Sequence, residues 1–323
     1  MRRSDLRFVG LAIASFTGFH LIAQGSPHAT PSFTPFQPGE KPAPAVERSG
    51  LQLSMPTNTQ KPATVRGIIC EPGQAPSECD DRQPMTDQRQ PWSAIGRITF
   101  TKQNQPNAYQ CTGTLIADNL LLTNAHCIVD PDTQLVHRNL QFEPNLINGQ
   151  LRDDNDRANI IGGVYGTDFK GSGAPPHPQD WAVVKLDKPL GKKYGTLPVQ
   201  PLPIAVFQKN PKKLMQIGYS FDFPDPKKPA FKGLVGGAGA TAGVHDGCSI
   251  TEQRPDTVFV HTCDTRGGSS GGPLLGWIGG KLHIVALNSA EFANQRTGIG
   301  SENYATDLTP VLGVLAQMQK PIQ

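Results

Sequence analysis

The chain has 323 residues, of which 37% are hydrophobic, 34 are Gly and 30 are Pro. That composition excludes a wholly disordered chain and favours many short strands and turns over long helices. Thirty basic residues stand against 27 acidic ones, a formal net charge of +3, with no long run of either sign. The basic stripe of a nucleic-acid or membrane-surface protein is missing, so neither is an expected partner.

Residues 1–25 read as a signal peptide. A head rich in Arg precedes an uncharged, largely apolar run from Phe8 to Ala23, and Ala23-Gln24-Gly25 offers small residues at the positions a signal peptidase reads. The run is short for a membrane span, which needs about 20 residues. An uncleaved anchor is the alternative; the expectation is export, to the outside or the periplasm, with no membrane attachment after cleavage. Residues 26–79 form a Pro-rich linker or possible propeptide, with eight Pro between residues 26 and 66, too polar to offset its ordering entropy. The folded domain is expected over residues 80–323. Patterned sequence begins near Trp92, and Ile95, Ile98 and Phe100 predict a first strand. At the other end Thr309-Pro310 predicts a helix start, with Val311, Leu312, Val314, Leu315 and Met318 on roughly one face.

Six cysteines fit an oxidising compartment. Counting allows fifteen connectivities; spacing favours Cys70–Cys79, Cys111–Cys127 and Cys248–Cys263. Zinc is the rival, but no Cys-x-x-Cys pair exists and His261-Thr-Cys263 is poor ligand spacing, so no metal is expected.

Three segments carry the chemistry. Residues 111–127 predict two strands joined at Asp118-Asn119, with His126 just beyond the second. A lone His after a strand is usually structural, but the Cys111–Cys127 staple would fix its backbone, a loop closure worth roughly 3 kcal/mol in the chain-entropy account. A general base must be held in place in this way. Asp180 precedes the apolar run 182–186; it is either a turn carboxylate or the group that accepts a histidine's second N–H. Residues 263–275 are the most specific stretch, with Gly267, Gly268, Gly271 and Gly272 around Ser269 and Ser270. A phosphate loop would want a Lys and a following helix, and Pro273 resists one. The glycines make sense if two N–H groups, those of Gly268 and Ser270, must face one point beside a serine, as in an oxyanion hole. The Gly-x-Ser-x-Gly elbow of α/β-hydrolases also matches Gly268 to Gly272, but it needs a helix after the serine and the order Ser, Asp, His. The order here is His126, Asp180, Ser270.

These segments resemble those of the chymotrypsin-type serine proteases, closest to the bacterial glutamyl endopeptidase-like branch. Leu122-Thr-Asn-Ala-His126-Cys127, Asp180-Trp-Ala-Val-Val-Lys-Leu186 and Gly268-Ser-Ser-Gly-Gly-Pro273 are similar to that family's three motifs, and Asp80-Asp-Arg82 with Pro91-Trp-Ser-Ala-Ile95 is similar to the branch's mature N-terminal region. The resemblance implies an all-β fold of two antiparallel six-stranded barrels with a C-terminal helix, and a cofactor-free endopeptidase acting on protein or peptide substrates, expected to be a monomer. It assigns Ser270 as nucleophile, His126 as base and Asp180 as its orienter, with Gly268 and Ser270 binding the oxyanion. It places Thr265 and Asn288 in the substrate pocket, and Asp264 either there, as the acid that pairs with a substrate Lys or Arg, or, as in the glutamyl branch, in a place that need not face the substrate. Two departures stand out. Ser269 occupies the place where trypsin-like zymogens carry an Asp that pairs with the new N-terminal amine, and Asn288 stands where the glutamyl enzymes have a His. Glu-type, basic and small-polar substrate preferences all stay open. A catalytically inactive binding protein of this fold and a serine esterase are the alternative functions.

Overall fold

A computed structural model of the chain describes residues 34–35, 67–70, 75–103, 105–171, 174–255, 258–293 and 299–318. The expected signal peptide and most of the Pro-rich stretch lie outside the described residues.

The first expected strand forms as β1 (Ile95–Thr101), with Ile98 and Phe100 buried and Arg97, Thr99 and Thr101 half-buried on the other face. That alternation is the period-two pattern of a strand with one face on a core. β2 (Ala108–Ala117) and β3 (Leu120–Thr123) follow, joined at Asp118-Asn119 as expected. β4 (Arg138–Pro144), β5 (Ala158–Tyr165) and β6 (Ala182–Leu186) complete the first barrel, and Thr34–Pro35 pairs on the outer side of β5. The strands pair antiparallel in the order β5-β4-β1-β2-β3-β6, and β5 also pairs with β6, so the sheet closes into a six-stranded barrel. Closure removes the exposed edges that would otherwise invite aggregation.

The second sheet holds β7 (Leu214–Gly218), β8 (Gly243–Cys248), β9 (Ile250–Gln253), β10 (Val258–His261), β11 (Pro273–Ile278), β12 (Lys281–Ala293) and β13 (Ile299–Asp307). Its order is β9-β10-β13-β12-β11-β7-β8, with Gln83–Pro84 pairing on the outer side of β8. β8 runs into β9 across Ser249 alone, so these two count as one bent strand and the second barrel is also built from six. The fold is therefore the chymotrypsin-like pair of barrels that the motifs imply. One apolar cluster runs from Ile98, Leu121, Phe142 and Val184 of the first barrel to Ile217, Leu275 and Leu287 of the second, and burying it from water is the main force joining them.

α1 (Thr309–Met318) ends the described chain. Asp307, not Thr309, is its capping group: Asp307 Oδ1 accepts from the Thr309 N–H and hydroxyl, both at 2.9 Å. Val311 and Val314 are buried against the core cluster, whereas Leu312 is 40% exposed. The apolar face is thus narrower than the sequence suggests. Residues 67–70, read from sequence as the end of the linker, pack on the second barrel: Ile68 and Ile69 run parallel to Ile299 and Gly300, and Ile68 is buried. Among the described residues no helix is long and apolar enough to cross a membrane.

Candidate active site

His126 sits in a short turn over residues 125–127, immediately after β3. The disulfide Cys111–Cys127 ties that turn back to β2. Asp180 stands just before β6, which pairs with β3, so the barrel register brings the two side chains together. His126 Nδ1 lies 2.8 Å from Asp180 Oδ2, and the His126 backbone N–H donates to Oδ1 at 3.0 Å. Asp180 is fully buried, while the His126 side chain keeps 16% exposure. Burial pushes the Asp180 carboxyl up, but the His126 imidazole, its two hydrogen bonds and that of Ser289 outweigh it and hold the group below the usual carboxylate range.

Ser289 is the residue that sequence reasoning missed. Its hydroxyl donates to Asp180 Oδ2 at 2.6 Å, and its carbonyl accepts from Ser270 Oγ at 3.3 Å. One residue of β12 therefore links the second barrel's serine loop to the first barrel's carboxylate. Its sequence signal was its place directly after Asn288. The Asp180 carbonyl is held in turn by Asn124 Nδ2 at 2.6 Å. Ser270 is anchored from the other side, its carbonyl accepting from the Thr112 N–H at 2.7 Å.

The serine loop is arranged by its carbonyls. Gly267 O accepts from the Phe221 N–H at 2.8 Å, Gly268 O from Thr112 Oγ1 at 3.0 Å, and the Ser269 N–H donates to Arg266 O at 2.9 Å. Among the described residues the N–H groups of Gly268 and Ser270 donate to nothing, which is the arrangement a developing oxyanion needs. Gly268 has φ +100° and a Cβ there would collide with the Tyr219 carbonyl; Gly271 has φ +78° and a Cβ would strike Thr123 Oγ1. Both positions require glycine.

The three residues assigned to the pocket divide. Thr265 and Asn288 meet, with Asn288 Nδ2 donating to Thr265 Oγ1 at 3.0 Å. Behind them lies His261, buried, with Nε2 3.1 Å from Asn288 Oδ1 and Nδ1 accepting from the Cys263 N–H at 3.3 Å. Those partners put the ring proton on Nε2. Burial pushes the His261 pKa down to about 4. Asp264 does not join them. Its carboxylate accepts from the backbone N–H of Ile69 at 3.0 Å and of Asp81 at 2.9 Å, and the residue is 1% exposed. It fastens the N-terminal segment instead of facing a substrate. The remaining disulfides are Cys248–Cys263, which staples β8 to the segment between β10 and this loop, and Cys70–Cys79 in the N-terminal segment.

The family model of the trypsin-like peptidase domain matches residues 111–282. No curated protein matches the chain. Among solved structures, a Glu endopeptidase in complex with MPD aligns at 22% identity and TM-score 0.56, over 78% of this chain and all of that one. The protease Anisep from Arthrobacter nicotinovorans aligns at 19% identity and TM-score 0.54, over 72% of this chain and 96% of that chain. The thermostable serine protease AL20 from an extremophilic microorganism aligns at 16% and 0.54, over 71% and 99%. At these identities the three structures speak for the fold.

Proposed function

The chain belongs to the trypsin-like peptidase family, and from that premise we propose that it is an exported serine endopeptidase that cleaves through Ser270, His126 and Asp180. The observation that carries the reading is Ser289, whose hydroxyl holds Asp180 while its carbonyl holds Ser270. Three disulfides support an oxidising compartment.

Asp180 accepts the Nδ1 proton of His126, which leaves the Nε2 lone pair free as the base. A carboxylate pKa below the ordinary range keeps that partner charged at neutral pH. Among the described residues Ser270 Oγ is held by one long 3.3 Å bond, to the Ser289 carbonyl, so rotation about its Cα–Cβ bond redirects it to Nε2 at little cost. As Oγ bonds the scissile carbonyl carbon, its proton passes to Nε2 and the carbonyl electron pair moves onto oxygen. That oxyanion accepts from the Gly268 and Ser270 N–H groups. Collapse breaks the C–N bond, the leaving amine takes the proton from Nε2, and an acyl-enzyme remains. Water, deprotonated by His126, attacks the ester and repeats the sequence, releasing the carboxylic acid and restoring Ser270.

A fluorophosphonate probe followed by peptide mapping tests the assignment. The expected result is one adduct, on Ser270, together with hydrolysis of a protein substrate at defined sites. An unlabelled protein would favour a binding role for this fold, and ester cleavage without peptide cleavage would favour an esterase.

A further inference from the structure

The chemistry above gives no role to Arg82, a charged side chain only 1% exposed. Burial of a guanidinium is tolerated when its donors are matched. Arg82 Nε donates to Asp80 Oδ1 at 2.8 Å and Nη2 to Asp80 Oδ2 at 3.0 Å. It also grips Asp222 in a two-point pair, Nη1 to Oδ1 and Nη2 to Oδ2, both at 3.0 Å. Its Cζ lies 4.9 Å from the ring centroid of Phe223. Asp222 meets a second cation, with Arg266 Nε 3.1 Å from Oδ2. One carboxylate thus joins the N-terminal segment to a residue two places before Gly268.

Between these charges lies the hydrogen bond that orients the oxyanion loop. The Gly267–Gly268 peptide has no side chain on either flank, and Gly268 sits at φ +100°, so backbone sterics alone do not fix which way that peptide faces. Its carbonyl is held by the Phe221 N–H at 2.8 Å, which turns the Gly268 N–H away from Phe221. The Phe221 side chain is 44% exposed and anchors little. Its neighbours do the anchoring: Ser220 Oγ lies 2.5 Å from Ser269 Oγ, and Asp222 lies between Arg82 and Arg266.

Resting on the reading of Gly268 as an oxyanion donor, we propose that Arg82, Asp222 and Arg266 are positioning residues. They form a charged brace that holds the Phe221–Gly267 bond and so aims the Gly268 N–H at the reacting carbonyl. The N-terminal segment from Asp80 to Arg82 is then a working part of the site, although it lies well outside the three motif segments.

Asp222 is the variant of choice, because at 32% side-chain exposure it can be truncated without opening the core. Asp222→Ala is expected to lower kcat at least tenfold with KM within twofold, since the oxyanion forms only after binding. A peptide aldehyde, whose hemiacetal oxygen uses the same donors, is expected to lose affinity in step with kcat. Hydrogen exchange over residues 266–272 is expected to speed up while that over 95–101 stays unchanged, a comparison that does not depend on turnover. Asp222→Asn keeps the shape without the charge and is expected to shift each readout less in the same direction. Unchanged kcat and unchanged exchange in Asp222→Ala would overturn the proposal. So would unfolding of both variants, which would make the brace a matter of stability alone. A wild-type protein without peptidase activity would defeat the reading of the Ser270 site, and the exchange comparison would still decide on the brace.

Discussion

Thr112 and Thr114 lie two apart on β2, both fully buried, with opposite hydrogen-bonding positions. Thr112 Oγ1 accepts from the Tyr219 N–H at 2.9 Å and donates to the Gly268 carbonyl at 3.0 Å, so this one hydroxyl connects the first barrel to the oxyanion loop. Thr114 Oγ1 has no partner among the described residues. Thr112→Val keeps the shape but leaves a buried donor and a buried acceptor unmatched. At about 1–3 kcal/mol for each, the cost is roughly 2–6 kcal/mol, a large share of the stability of an ordinary domain. Thr112→Ser keeps the hydroxyl and loses one methyl, about 1 kcal/mol. Thr114→Val removes an unmatched buried hydroxyl and is expected to be neutral or stabilising by about 1 kcal/mol. Urea unfolding midpoints with the disulfides intact measure all three. The reasoning fails if Thr112→Val lies within about 0.5 kcal/mol of wild type, or if Thr114→Val costs as much as Thr112→Val.

His137 and His261 are buried, and burial pushes both pKa values down to about 4. Each stays neutral in the fold while the unfolded form takes up a proton below about pH 6.5. Their contribution is complete above that pH and is lost as pH falls toward 4, by roughly 3 kcal/mol apiece. Thermal melting between pH 7.5 and 4 should show the fall, and a flat profile would contradict it. With Asn288 as a pocket residue, a substrate carboxylate would meet only a neutral amide, already bonded to His261 and Thr265, so cleavage after Glu is expected not to be strongly preferred and Asn288→His to raise it. kcat/KM on peptides with Glu, Gln, Lys or Ala before the cut decides this, a hundredfold preference for Glu in the wild type being the contrary result. Non-reducing peptide mapping should recover Cys111 joined to Cys127; a Cys111–Cys248 peptide would overturn the arrangement.

What the sequence carries locally was legible. The turn at Asp118-Asn119, the strand from Ile95 and the helix at Thr309-Pro310 are short-range signals, and the structure has all three. The motif segments fixed which residue types to look for, because a Gly-rich loop around a serine has few other uses. Contacts made across long stretches of chain were not legible. Ser289 carried no signal of its own, and only the packing of the second barrel against the first brings it to Asp180, 109 positions away. Asp264 could be a pocket acid or a structural one; the N–H groups of Ile69 and Asp81, far off in sequence, decide for the second. Arg82 was noticed as part of a motif, but its partner Asp222 lies 140 residues on. Leu312 fits the helix period and still faces outward, since the core ends at Val311 and Val314.

The central claim is that Ser270 is the nucleophile, and Ser270→Ala tests it most directly. The residue is only partly buried and its hydroxyl makes one long hydrogen bond among the described residues, so the variant should fold with an unchanged melting temperature. Turnover of a protein substrate is expected to fall by several orders of magnitude, the residue of activity coming from binding and the oxyanion donors. A folded Ser270→Ala protein that kept more than about a hundredth of wild-type turnover would contradict the account.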